Sequence, residues 1–241
     1  MQAASLFPDG LPDTVPDTRL EEMQHRLLDA YGRPPERELW DPLTQCIYSM
    51  LSSRTKTETS HAVLRALRDR FGSWERLRDA SLAEIEETIR AATFPERKAV
   101  QLKTALEEIT RRYGTLSLDF LRRYRTEKIR SWLEAFDGIG VKTSAAVVNF
   151  STLRRRAMCV DSHHLRVARR LGLVAKSAGA RETEERLMEL APAAWTAETL
   201  DEHHALVKLH GQRRCRFADP LCVGCPLLAG CPTGAAKLRL V

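Results

Sequence analysis

The chain has 241 residues, 43% hydrophobic and 29% charged, enough to bury a core as one large domain or two small ones. It has no run of about 18 apolar residues for a membrane span, and no basic start with an apolar stretch that would mark a secretory signal. The net charge of +6 points away from membrane insertion and towards a polyanionic partner in a cytoplasmic, nucleoid-associated setting, where clustered thiols stay reduced.

Residues 1–17 are Pro-rich, carry Asp9, Asp13 and Asp17 without Lys or Arg, and read as a mobile tail. Beyond them apolar residues recur at helical spacing and strand-like alternation is nearly absent, so the fold class is all-α. Helices are expected over 18–31, 42–52, 57–71, 82–92, 96–113, 126–136, 141–151, 162–172, 181–191 and 197–210. "SLAE" at Ser81 and "TAET" at Thr196 place a capping hydroxyl three residues before a partner. Basic clusters stand at "RRYR" (122–125), "RRR" (154–156) and "RRCR" (213–216), as a solvated surface or a nucleic-acid footprint.

"LEAFDGIGVKTSAAVVNF" reads as a helix, a tight turn at Asp137–Gly140 and a small-residue helix from Val141. Gly138 and Gly140 permit positive φ and close backbone approach. The new helix start offers N–H groups to a phosphate through Gly138, Ile139, Gly140, Val141 and Thr143. Nineteen residues after Lys142, "VDSHHLRVARRLGL" sets Asp161 at another helix start.

"CRFADPLCVGCPLLAGC" then places Cys215, Cys222, Cys225 and Cys231 in 17 residues. Four thiolates in one loop suit tetrahedral zinc, an iron–sulfur cluster or, less readily in a reducing compartment, disulfides. Zinc sites more often use two separated C-x2-C knuckles; here one knuckle is flanked by single cysteines, which wraps the loop round one object. Cys46 and Cys159 lie in apolar contexts and read as core.

The pieces "DPLTQCIYSMLSSRTKT", "PERKA", "GIGVKT", "VDSHHLRVARRLGL", "HHALVKLHG" and the cysteine loop, in that order over about residues 40–231, resemble the helix-hairpin-helix DNA glycosylases, specifically endonuclease III. The resemblance implies a two-lobed fold. A helical barrel at 40–152 would carry the hairpin, and 18–39 would pack with a cluster domain at 153–241 holding a [4Fe-4S] cluster of structural role. It implies a monomer that binds double-stranded DNA containing a damaged base or abasic site, flips the base out and excises it. In bifunctional members the lysine at the position of Lys142 attacks C1′ and a Schiff base then permits β-elimination. Asp161 would stabilise positive charge on the sugar. Arg216 would reach a phosphate, and His163, His203, His204 and His210 would pack.

Three positions depart from the family pattern. Arg54 stands where Gln is usual, in the place that wedges into the gap left by the flipped base. Arg there favours guanine acceptors, or contacts a phosphate instead. Phe136-Asp137 replaces Leu-Pro before the hairpin, so Asp137 would cap the turn or hold a cation. His164 replaces an apolar residue and would line the base pocket or point to solvent. The segment "DFLRRYRTEKIRSWL" is longer than usual. Two other readings stand beside the bifunctional enzyme: a monofunctional glycosylase using Asp161-activated water, and a non-catalytic iron–sulfur DNA-binding module.

Overall fold

A computed structural model describes residues 17–239. The expected tail lies outside them except for Asp17, whose carboxylate pairs with Arg19 at 2.7 Å. Twelve α-helices follow among the described residues. They are α1 (Arg19–Tyr31), α2 (Pro42–Leu51), α3 (Thr57–Phe71), α4 (Trp74–Asp79), α5 (Leu82–Thr88) and α6 (Pro95–Tyr113), then α7 (Thr126–Leu133), α8 (Val141–Phe150), α9 (Ser162–Arg170), α10 (Ala180–Leu190), α11 (Ala197–Arg213) and α12 (Pro232–Arg239). There is no strand among the described residues, only a single bridge between Trp40 and Ser151.

Local chemistry sets the boundaries. Asp41 caps α2 by accepting from the Leu43 and Thr44 amides, and Pro42 fills the first turn where no N–H is needed. Ser81 and Glu84 form a reciprocal capping box at α5, whereas Thr196 caps α11 alone because Thr199 occupies the acid's position. Two helices escape the sequence reading. α4 is six residues long, too short for periodicity to register, and α12 starts on Pro232 directly behind the cysteine loop. The expected helix 126–136 stops at Leu133, and 82–92 stops at Thr88.

Two hydrophobic cores result. One gathers α2 to α8 around Ile47, Leu51, Leu67, Leu102, Ile129 and Val147. The other gathers α1 with α9 to α11 around Leu20, Leu27, Val167, Leu187 and Leu206. The segment 157–160 divides them: Ala157 and Cys159 face the first core, Met158 and Val160 the second. Extended backbone explains this, because successive side chains point to opposite sides. Across the junction Asp201 accepts from Arg37 at 2.8 Å and from Arg154 at 2.9 Å, and Arg37 stacks 4.1 Å over the Phe150 ring. Arg130 also pairs with Glu184, and Ser144 donates to Glu134 at 2.5 Å, which ties α7 and α8 to α10.

Candidate active site and cysteine pocket

The hairpin joining α7 to α8 depends on one left-handed residue. Gly138 has φ +80°, and a Cβ there would meet the Gln101 side chain at 2.8 Å, so both conformation and space demand glycine. Gly140 precedes α8 with extended backbone and supplies no side-chain cap, leaving the helix start to an outside acceptor. Gly138 and Gly140 are exposed and Val141 half-buried, but Ile139 and Thr143 turn their side chains into the core. Only the backbone of those two faces outward chemistry. Asp137 accepts from Gln101 Nε2 at 3.2 Å, so it steadies the turn from the α6 side.

Lys142 lies in the first turn of α8 and reaches back across the packed α2–α8 pair. Its Nζ is 2.8 Å from Ser52 Oγ and 3.3 Å from the Ser49 carbonyl. Burial lowers its pKa, with Cys159 and Asp161 pulling the other way and Lys208 and Arg37 adding to the depression. The Cys159 thiol is pushed by burial to about 12 and stays protonated, and Cys46 likewise.

Asp161 caps α9, its Oδ1 accepting the His164 amide at 2.8 Å. Burial raises its pKa, but His204, the His164 N–H and the His164 and His163 charges outweigh this and bring it to about 2. Asp161 is therefore a carboxylate at neutral pH, placed to act on the Lys142 charge. His164 is 1% exposed, its ring against His203 and His204 at 5.3 and 6.2 Å between centroids. It does not point to solvent, and neither ring nitrogen has a hydrogen-bond partner. His204 Nδ1 donates to the Cys159 carbonyl at 2.7 Å and His203 Nδ1 pairs with Gln24 at 2.8 Å, as packing residues do.

Arg54 sits in the turn after α2 at φ +55°. A second turn meets it: Thr93 Oγ1 donates to the Arg54 carbonyl at 2.9 Å, and the Thr93 amide donates to Thr55 Oγ1 at 3.1 Å. The next residue, Phe94, also has positive φ (+57°) and is 50% exposed. An aromatic half-exposed in a left-handed conformation is unusual, and the Thr93 bonds set it beside the Arg54 turn. The sequence reading missed it; its only trace is an aromatic directly before Pro95. Lys98, in "PERKA", is buried beneath both turns.

All six cysteines are free of disulfides. Cys215, Cys222, Cys225 and Cys231 line one cavity, walled by apolar side chains such as Val167, Leu171 and Leu227. Among the described residues no three potential ligands stand at the spacing of a single metal ion. Donors do face the sulfurs: Arg170 Nη1 at 3.4 Å from Cys215, the Gly234 amide at 3.3 Å from Cys231, and His210 Nε2 at 3.8 Å from Cys225. Four sulfurs round an apolar cavity, with N–H groups directed at three of them, fit an anionic thiolate-held cluster. Arg216, expected to reach DNA, is half-exposed and donates to the Asp219 carbonyl at 3.1 Å, while Lys237 neutralises the Asp219 carboxylate.

Comparison with known proteins bears on the family and the fold. Residues 47–193 match the family model described as HhH-GPD superfamily base excision DNA repair protein. A putative DNA glycosylase of Arabidopsis thaliana is 31% identical over 59% of the chain, and the chain spans about half (48%) of that relative. It spans only 14% of the DNA glycosylase/AP lyase ROS1 of the same plant, at 25% identity over 80% of the chain. Endonuclease III of Thermotoga maritima is 26% identical, with 88% of this chain and 92% of the relative covered. A solved non-covalent Endonuclease III–DNA complex superposes with a TM-score of 0.77 at 23% identity, covering 94% of this chain and all (100%) of that one. With its all-helical fold, its glycine hairpin and the match over more than half of its length, the chain belongs to the HhH-GPD superfamily of base excision DNA repair proteins and is endonuclease III-like.

Proposed function

We propose that the protein is a bifunctional DNA glycosylase and AP lyase in which Lys142 is the nucleophile. One observation carries this reading: a half-buried amine at a helix start, with its pKa lowered by burial and a carboxylate, Asp161, within reach of its charge. Neutral Lys142 attacks C1′ of a flipped nucleotide, the C1′–N bond breaks and the base leaves with the bonding pair. Asp161, anionic at neutral pH, stabilises the positive charge that grows on the sugar. The adduct nitrogen gives one proton to the departing base, the sugar ring opens to a protonated imine as O4′ takes up a proton, and abstraction of a 2′ proton then expels the 3′ phosphate as an anion. The name of one relative, DNA glycosylase/AP lyase, is consistent with this chemistry.

Double-stranded DNA would lie against the glycine hairpin, with Arg54 and Phe94 entering the gap left by the extruded base. Residues 40–152 would form the barrel lobe and 153–239, with α1, the cluster lobe of a monomer. Cys215, Cys222, Cys225 and Cys231 would hold a [4Fe-4S] cluster, which when bound cross-links the loop that carries Arg216. Duplexes bearing a panel of damaged bases or an abasic site, with base release and strand nicking scored separately, test the reading. Nicking that follows base release supports it; base release without nicking turns the assignment to a monofunctional enzyme using Asp161-activated water.

A further inference from the structure

Lys98 is 6% exposed, yet it carries an amine with three oxygen partners: the Leu51 carbonyl at 2.6 Å, the Ser53 carbonyl at 2.8 Å and Thr55 Oγ1 at 2.8 Å. Leu51 ends α2, and Ser53 and Thr55 lie in the turn that follows it. Lys142 enters the same turn from the other side, through Ser52 Oγ and the Ser49 carbonyl. Two lysines from different helices, α6 and α8, thus close on one short stretch of backbone, Ser49–Thr55. That stretch carries Arg54, and through Thr55 and Thr93 it is bonded to the turn that carries Phe94.

The two amines are not equivalent. Two of Lys98's partners are carbonyls, which only accept, so its geometry suits an ammonium that donates three times. Lys142 donates to one carbonyl, at the longer distance of 3.3 Å, and to the Ser52 hydroxyl, whose own proton goes to the Ser49 carbonyl at 3.0 Å. Like charges in a shared buried site disfavour double protonation. Lys142 also faces Asp161 and the protonated Cys159 thiol, which favour its charge, and Lys208 and Arg37, which oppose it. Lys98 itself is brought by burial and by Lys142 to about 8, so it keeps its proton at neutral pH.

We propose that Lys98 is a positioning residue for the reaction: by holding the Leu51 and Ser53 carbonyls and Thr55, it locks the Arg54 and Phe94 turns into one unit beside the Lys142 amine. What that unit does for the reaction rests on Lys142 being the nucleophile; the locking itself does not, because it concerns contacts among Lys98, Thr55 and Thr93.

The test uses the full chain, with Lys98→Met and Thr55→Val. Borohydride trapping on abasic-site duplex is measured across pH, and hydrogen exchange is followed in peptides covering 51–56 and 92–95. Lys98→Met and Thr55→Val are both expected to slow trapping at neutral pH on the order of tenfold, and Thr55→Val, which keeps the Lys98 charge, to leave the pH midpoint of trapping in place. Both variants are expected to speed exchange in the two peptides together, on the order of tenfold. Unchanged exchange in both variants overturns the locking role, and faster exchange with unslowed trapping overturns its part in the reaction. If Lys98→Met does not fold, Thr55→Val decides both points. If wild type forms no adduct at all, the nucleophile reading fails and the exchange data alone judge Lys98.

Discussion

Lys142 Nζ lies 2.8 Å from Ser52 Oγ, a contact between the first turn of α8 and the residue that ends α2, 90 positions earlier. The two helices pack against each other, and the small side chains Ala145 and Ala146 of α8 are buried. The amine is thereby held away from bulk water. This is the relationship from which the proposed chemistry follows.

Asp161 has two separable duties, capping α9 and stabilising charge on the sugar. Asparagine caps as well as aspartate, whereas alanine does not. Asp161→Asn is expected to melt within a few tenths of a kcal/mol of wild type, and Asp161→Ala to lose about 1 kcal/mol. Both are expected to lose base excision on the order of a hundredfold in single-turnover assays. Equal activity in Asp161→Asn and wild type would confine the residue to capping.

The His164 ring is fully buried, and burial brings its pKa from 6.5 to about 4. Between those values the unfolded chain binds a proton that the folded chain does not. Stability therefore falls as pH drops through 6.5, and the loss is complete below about 4. From pH 7 to pH 5 this residue accounts for about 2 kcal/mol. His164→Leu should flatten that part of the slope in urea unfolding; parallel curves for variant and wild type would contradict it.

The fold was largely legible because helical periodicity and capping hydroxyls are local signals. The long helices appear within a few residues of their expected ends, while α4 and α12 were too short or too close to the cysteine loop to register. The order of motifs also singled out Lys142 and Asp161 as the proposed working pair. What the sequence hid depends on contacts between distant segments. The positive φ of Phe94, the burial of Lys98 under two turns and the enclosure of His164 by α11 histidines have no local signature. Ile139 and Thr143 show the same limit: the motif marks the turn, but only packing decides which of its side chains face inward.

Arg54 is exposed, in a turn at positive φ that the Thr93 bridge to its carbonyl holds, and is the residue proposed to meet the orphan base. An arginine there should prefer guanine's acceptors. Wild type is expected to process lesions opposite guanine about tenfold faster than those opposite adenine, and Arg54→Gln to narrow that ratio. Equal turnover opposite all four bases in wild type would contradict the role.

The cysteine cavity predicts its own contents. Protein purified without oxidation should contain iron and acid-labile sulfide in equal amounts, with broad visible absorbance. Cys222→Ser and Cys225→Ser should lose both and melt at lower temperature, since the loop that precedes α12 would lose its cross-link. Stoichiometric zinc without sulfide would contradict the assignment.

The most direct measurement is borohydride reduction of the protein on a duplex with a single abasic site, followed by peptide mapping of the adduct. The expected result is a covalent protein–DNA species in wild type, mapped to Lys142 and missing from a folded Lys142→Ala variant that still binds the duplex. An adduct that persists in Lys142→Ala, or maps to another amine, would contradict the assignment of Lys142 as nucleophile.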